Sequence, residues 1–238
     1  MSSPSPRKTY KNRLLASLPP EVMQKFTPHL QPVDLPRNLP LYEAGQPIEF
    51  AYFLEGGICS IVATMQNGTT VEVGLVGREG FMGIPVLLGT VSCPNRSFMQ
   101  IPGHGFRVKA RILKEQFDAS APLRSYLLRC VQGALTQTAQ TAACNRIHDL
   151  HERLARWLLM CRDRVQTDQI PITQELLAIM LGTRRSSVAV ASARLQKAGL
   201  ITHTRGRVAI HNRSGLLDAA CECYQVVHNE AVRLGLLE

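Results

Sequence analysis

Between Leu39 and Val108 the apolar residues fall in short runs: Ala51–Leu54, Ile58–Met65, Thr70–Val76 and Ser97–Ile101. Turn-forming segments separate them: Glu43-Ala-Gly-Gln, Glu55-Gly-Gly, Gln66-Asn-Gly, Gly77-Arg-Glu-Gly and Pro102-Gly-His-Gly. Runs so short and closely spaced leave no room for crossover helices, so they predict an antiparallel barrel or jelly roll. Asn67-Gly68 is the sharpest hairpin signal.

After Ala110 the period lengthens to that of a helix. Leu127, Cys130, Val131, Ala134, Thr138 and Thr141 form one stripe along Leu123–Thr141, a face suited to pairing with a second copy across a dimer axis. A further amphipathic helix, about Asp149 to Arg164, carries Leu150, Leu154, Trp157, Leu158 and Cys161, with Ala143–Arg146 as the expected hinge before it. Upstream, Leu14, Leu15, Leu18, Val22, Met23 and Phe26 suggest short helices interrupted at Pro19-Pro20 and covering one end of the barrel.

The pattern from Ile172 to Ile210 is the most specific. Leu176, Leu177, Met180 and Leu181 share a helical face with Thr173 before them as N-cap, and Gly182 breaks the helix. A second apolar set, Val188, Ala191 and Leu195, leaves Thr183, Arg184, Arg185, Ser186 and Ser187 near the start of a new helix. Gly199 supplies a helix stop, and Leu200–His203 and Arg207–Ile210 flank Thr204-Arg205-Gly206 as a hairpin. Helix, tight turn, basic helix and hairpin make a winged helix-turn-helix, whose second helix enters the major groove. Gly215–Glu238 adds a helix of undefined role with Leu216, Ala220, Tyr224 and Val227.

Charge points the same way. From Leu176 to Leu217 there is no acidic residue, whereas Arg184, Arg185, Arg194, Lys197, Arg205, Arg207 and Arg213 are present. Arginine donates two hydrogen bonds to guanine, and serine hydroxyls suit base edges or phosphates, so Arg185 and Ser186 are the first candidates for base readout. The full candidate DNA-binding set is Thr173, Thr183, Arg184, Arg185, Ser186, Ser187, Arg194, Lys197, Arg205 and Arg207.

Composition bounds the alternatives. The chain has 238 residues, 45% of them apolar, and a formal charge of +9, which suits two modest domains and an anionic partner. No apolar run reaches the roughly 18 residues of a membrane span, and Met1–Arg13, read as a mobile lead-in, lacks the apolar core of a secretion signal. Seven irregularly spaced cysteines do not make a disulfide framework and fit a reducing cytoplasm. The expected fold is α+β, divided into a lead-in and helix (1–20), a β-barrel sensor (21–118), a dimerisation helix with hinge (119–145) and a winged helix-turn-helix with C-terminal helix (146–238).

Other chemistries find less support. Cys144 with His148 and His151, and separately Cys221, Cys223 and His228, offer two incomplete zinc clusters, and no metal is expected. His104, Cys59 and Cys93 are formal haem ligands without a haem motif. A jelly-roll metalloenzyme is the remote alternative, but Leu39–Val108 contains only one histidine, His104, and no nucleophile–base pair stands out, so no enzymatic activity is expected. The other alternative is a ligand-binding signalling module whose winged helix contacts protein.

Gly45, Glu55-Gly56-Gly57, Arg96-Ser97, Arg153-Leu-Ala-Arg-Trp-Leu-Leu and the helix-turn-helix together resemble the Crp/Fnr superfamily of bacterial regulators, over about Leu14 to Ile210. The resemblance implies a cyclic-nucleotide-binding-like jelly roll, a homodimer, promoter DNA and RNA polymerase as partners, and an effector acting through the long helix. It also implies an effector pocket at Gly83, Ile84, Arg96, Ser97 and Thr138. Where cyclic-nucleotide-binding members carry the glutamate for the ribose hydroxyl, this chain has Ile84 followed by Pro85, and Ala139 replaces a serine after Thr138. Loss of that hydrogen-bond partner costs about 1–3 kcal/mol, so the usual cyclic-AMP mode is not expected. The cysteines of oxygen-sensing iron–sulfur relatives cluster near the N-terminus, but the first cysteine here is Cys59, so no cluster is expected. On the recognition helix Arg185 matches the family's first base-reading arginine, while Ser186 and Val190 replace its glutamate and later arginine, which implies a different target sequence.

Overall fold

The alternating runs form seven strands in two antiparallel sheets, seen in a computed structural model that describes residues 10–237. Residues 1–9 of the expected lead-in lie outside the described residues. Two short helices, α1 (Arg13–Ser17) and α2 (Pro20–Phe26), precede β1 (Gln31–Leu35), β2 (Pro40–Tyr42), β3 (Phe50–Leu54), β4 (Ile58–Thr64) and β5 (Thr70–Val76). After α3 (Ile84–Leu87) come β6 (Arg96–Ile101) and β7 (Gly103–Lys109), giving sheet orders β1-β7-β3 and β2-β6-β4-β5. The sheets enclose Leu35, Tyr52, Leu54, Cys59, Met82 and Met99, while Phe26, Phe53 and Phe81 pack beneath the N-terminal helices. Glu55 pins those helices: its carboxylate accepts from the Lys11 and Asn12 amides at 2.8 and 3.0 Å.

The chain then turns helical, through α4 (Ala110–Ala119), α5 (Ala121–Ile147) and α6 (Leu150–Val165). The elbow between α5 and α6 lies at His148-Asp149, later than the expected hinge at Ala143–Arg146, because Asp149 and Glu152 close a reciprocal capping box that starts α6. Beyond it lie β8 (Gln169–Ile170), α7 (Gln174–Met180), α8 (Arg185–Lys197), β9 (Ile201–Thr204), β10 (Arg207–Ile210), α9 (Arg213–Asp218) and α10 (Cys223–Arg233). Among the described residues no helix is long and apolar enough to cross a membrane.

The stripe expected to dimerise is divided, its first half buried in the subunit and Thr138 exposed. Leu127, Cys130 and Val131 are buried within the subunit, with Leu127 and Cys130 in the cluster that includes Phe53, Leu113 and Leu236. Ala134 and Thr138 line a cavity, and the Thr141 hydroxyl accepts from Arg156 Nη2 at 2.9 Å. The barrel takes this face because it is the more apolar one, and burial there removes most surface from water. Among the residues α5 leaves exposed are Leu128, Gln132, Leu135, Thr138, Ala139 and Ala142.

Barrel and helix-turn-helix share one core, in which Ile58, Val62, Leu75 and Phe98 meet Trp157, Met160 and Met180. Two buried polar contacts fix the seam. Glu72 accepts from Ser60 Oγ at 2.6 Å and from the Trp157 indole at 2.8 Å; burial pushes its carboxyl up to about 7 despite both bonds. Arg164 donates to Glu79 at 2.7 Å and to Gln137 at 2.9 Å, tying α6 to the barrel and to α5.

Candidate nucleic-acid interface and barrel cavity

Local chemistry builds the helix-turn-helix. The Thr173 hydroxyl accepts from the Leu176 amide at 3.2 Å and starts α7. Gly182, at φ 59°, makes the turn, and a Cβ there would sit 2.8 Å from Val71 Cγ2. Arg184 occupies the N-cap position of α8 without a side-chain cap, so the helix presents its positive end next to the Arg184 and Arg185 guanidiniums.

Burial then sorts α8. Val188, Ala191, Ser192 and Leu195 face inward. Outward lie Arg185, Ser186, Val190, Arg194 and Lys197, and Val190 is 73% exposed. An apolar side chain standing free among cations matches the methyl group of thymine. Its role was not assigned from sequence, where it registered only as a departure from the family pattern; position on the outward face is the signal that finds it. Arg185 Nη1 lies 2.8 Å from Glu175 Oε1 in an exposed pair, so Glu175 holds the fork at the mouth of the turn. Arg194 lies 3.3 Å from the His151 ring nitrogen. Thr183 and Ser187 are half-buried at the turn.

The wing is the β9–β10 hairpin, with Thr204 opposite Arg207 and Arg205-Gly206 between them. Gly206 takes φ 82°, which leaves Arg205 at the exposed tip, beside exposed Arg207. Gln196 anchors the hairpin to α8 by accepting from the His203 amide at 2.7 Å. The His203 ring contacts Ser192 at 3.2 Å, and burial lowers its pKa, so it braces the wing as a neutral ring.

The barrel holds a cavity of about 410 Å³ between β5, α3 and the long helix. Gly83, Ile84, Ser97 and Thr138 line it, as expected for the effector pocket. Arg96 does not line it: its guanidinium sits on the Phe98 ring, 5.2 Å from the centroid, and is held by Glu43 at 3.2 Å. A nearby carboxylate and an aromatic face compete successfully with an apolar cavity for that charge. The walls are otherwise mostly apolar, including Phe81, Met82, Val131 and Leu135, with Val227, Ala231 and Leu236 from the C-terminal segment. Tyr42 also lines the cavity, and its hydroxyl is buried without a partner among the described residues.

The two half-clusters proposed from spacing merge differently in space. Cys144, His148, Cys221 and Cys223 come together, with every candidate ligand atom within 4.8 Å of the others. His151 faces Arg194 instead, and His228 stacks on Tyr224. His104 is exposed on β7, across from Asp34.

Residues 152–219 match the Crp-like helix-turn-helix domain family. No curated protein matches the chain by sequence. The fold is similar to that of a transcriptional regulator assigned to the Crp/Fnr family from Eubacterium rectale, at 15% identity and TM-score 0.68, covering 88% of this chain and 98% of that one. It is also similar to the c-di-GMP responsive global regulator CLP from Xanthomonas campestris, at 17% identity and TM-score 0.66, covering 81% and 99%. FixK2 from Bradyrhizobium japonicum gives 15% identity and TM-score 0.70, covering 81% and 98%.

Proposed function

From the premise that residues 152–219 are a Crp-like helix-turn-helix domain on a chain with the Crp/Fnr fold, we propose that this protein is a homodimeric, sequence-specific transcription regulator. The observation that carries the reading is the outward face of α8: a free helix N-terminus, Arg185 and Ser186 at its mouth, and no acidic residue from Leu176 to Leu217. Arg185 and Val190 read bases, Thr173, Thr183, Arg184, Ser186 and Ser187 contact the groove wall and phosphates, and Arg194, Lys197, Arg205 and Arg207 hold the backbone. The outward seam of α5, Leu128, Leu135, Ala139 and Ala142, pairs with its copy, so that two α8 helices enter successive major grooves about 34 Å apart.

The barrel cavity is the effector site of this reading. Its walls favour an apolar molecule, because Ile84 offers a ribose no carboxylate and Arg96 is engaged by Glu43. Contact with RNA polymerase follows from the family architecture, and the reading assigns no catalytic step.

Selection of bound duplexes from a random pool tests the function. The expected result is a palindromic site whose affinity falls steeply with salt; failure to enrich any sequence rejects the reading. Cyclic AMP and cyclic GMP are expected to leave the melting temperature unchanged, and a rise with either restores the nucleotide mode.

A further inference from the structure

Three cysteines and one histidine from three separate places meet at the elbow between the barrel helix and the DNA-reading domain. Cys144 belongs to the last turn of α5, His148 is the elbow residue itself, and Cys221 and Cys223 lie where α9 gives way to α10. We propose that Cys144, His148, Cys221 and Cys223 form a tetrahedral zinc site that staples the α5–α6 elbow to the C-terminal helix.

The geometry fits one ion. Zinc with Zn–S of about 2.3 Å and Zn–N of about 2.0 Å needs neighbouring ligand atoms roughly 3.5–3.8 Å apart. Cys144 Sγ and Cys221 Sγ are 3.4 Å apart, Cys223 Sγ and His148 Nδ1 are 3.5 Å apart, and no pair in the group exceeds 4.8 Å. That spacing is too tight for the corners of a multi-iron cluster. Thiolates with one imidazole are the donor set of structural zinc, and four protein ligands close the coordination shell.

The surroundings orient these ligands as an ion requires. His148 Nε2 lies 3.1 Å from Glu222 Oε2, so a proton held on Nε2 leaves the Nδ1 lone pair facing the sulfurs, the carboxylate–histidine–metal arrangement. Gln140 Nε2 donates to Cys223 Sγ at 3.1 Å. Three thiolates and one zinc carry a net single negative charge, and two arginines stand by. Arg156, itself buried, donates to Thr141, one turn before Cys144, at 2.9 Å. Arg153 interacts electrostatically with Cys144 and Cys221, and among the described residues the Nε atoms of both arginines are buried with no hydrogen-bond partner. Binding replaces three S–H protons, released to solvent, with three Zn–S bonds and involves no change of oxidation state.

The site stands independently of the DNA-reading assignment, since none of its ligands is placed at the groove. The test uses the full chain, purified reduced and stripped of metal, then titrated with cobalt(II) and zinc(II). One cobalt per chain is expected, with sulfur-to-metal charge-transfer bands and the strong visible bands of a tetrahedral thiolate site, displaced by one equivalent of zinc. Zinc is expected to raise the melting temperature by roughly 5 °C or more. Cys223→Ser and Cys144→Ser should lose the charge-transfer bands while circular dichroism shows folded protein, and His228→Ala and His151→Ala should keep them. Folded, fully reduced wild type that takes up no cobalt overturns the site, as does a Cys223→Ser spectrum identical to wild type. Recovery of the Cys144–Cys221 pair as a disulfide that reduction does not convert to a metal-binding form also overturns it.

Discussion

Helix α8 buries one face and leaves the other to solvent, whereas α5 is packed on two sides, by the barrel and by α10, and open on a third. On α8 the division between folding and binding runs along the helix axis, so an outward residue can change without disturbing the fold. Adjacent residues divide on both helices, with Val190 73% exposed beside buried Ala191 on α8 and Leu128 46% exposed beside fully buried Leu127 on α5. One position along a helix is a rotation of roughly 100°. Thus a single step on α5 separates a residue of the subunit core from one of the proposed pairing seam.

Leu127→Ala is the largest break in that comparison, expected to lower unfolding free energy by about 2–5 kcal/mol in denaturant titration while leaving the oligomeric state alone. Leu135→Asp should do the reverse, giving a monomer by sedimentation with subunit stability within about 0.5 kcal/mol of wild type. A dimeric Leu135→Asp would move the seam elsewhere.

The seam between barrel and α6 gives the next largest effect. In the folded chain the Glu72 carboxyl titrates at about 7 against an ordinary 4.5. The folded state therefore holds this proton more tightly than the unfolded one, is favoured below pH 4.5, and loses that advantage as pH rises through 7. Glu72→Gln should flatten the pH dependence of stability over that window, by roughly 3 kcal/mol at its upper end. An unchanged slope would mean that another group governs the interface.

Effects on α8 should be smaller and confined to DNA. Arg185→Ala is expected to cost about 1–3 kcal/mol on the selected site and relax one symmetric base pair. Equal loss on random duplex would reassign it to the phosphates. Smallest of all, Arg205→Ala at the wing should weaken every sequence alike and lower the salt slope by about one; a sequence-dependent loss would make the wing a base reader.

The same contrast explains what could be read from the chain. Thr173, Gly182 and Gly206 act within a few residues of themselves, so α7, the turn, α8 and the hairpin were legible within a residue or so. Four barrel strands were too, Thr70–Val76 among them, whereas β1, β2 and β7 were not, and Pro102-Gly-His-Gly, expected as a turn, runs into β7. Where partners come from distant segments, local period is blind. It found the apolar stripe of α5 but could not tell barrel from second subunit. The family resemblance placed Arg96 in the pocket without showing Glu43 just past β2, and spacing divided four clustered ligands into two weak groups because Cys144 and Cys221 are 77 residues apart.

Leu236 completes the cavity whose first walls are Gly74, Gly83 and Ser97. On the ribosome the barrel strands emerge long before this residue does, so the growing protein carries an unfinished chamber, open on the flank of α5. The last wall of the chamber therefore forms only when the C-terminal segment packs back against α5.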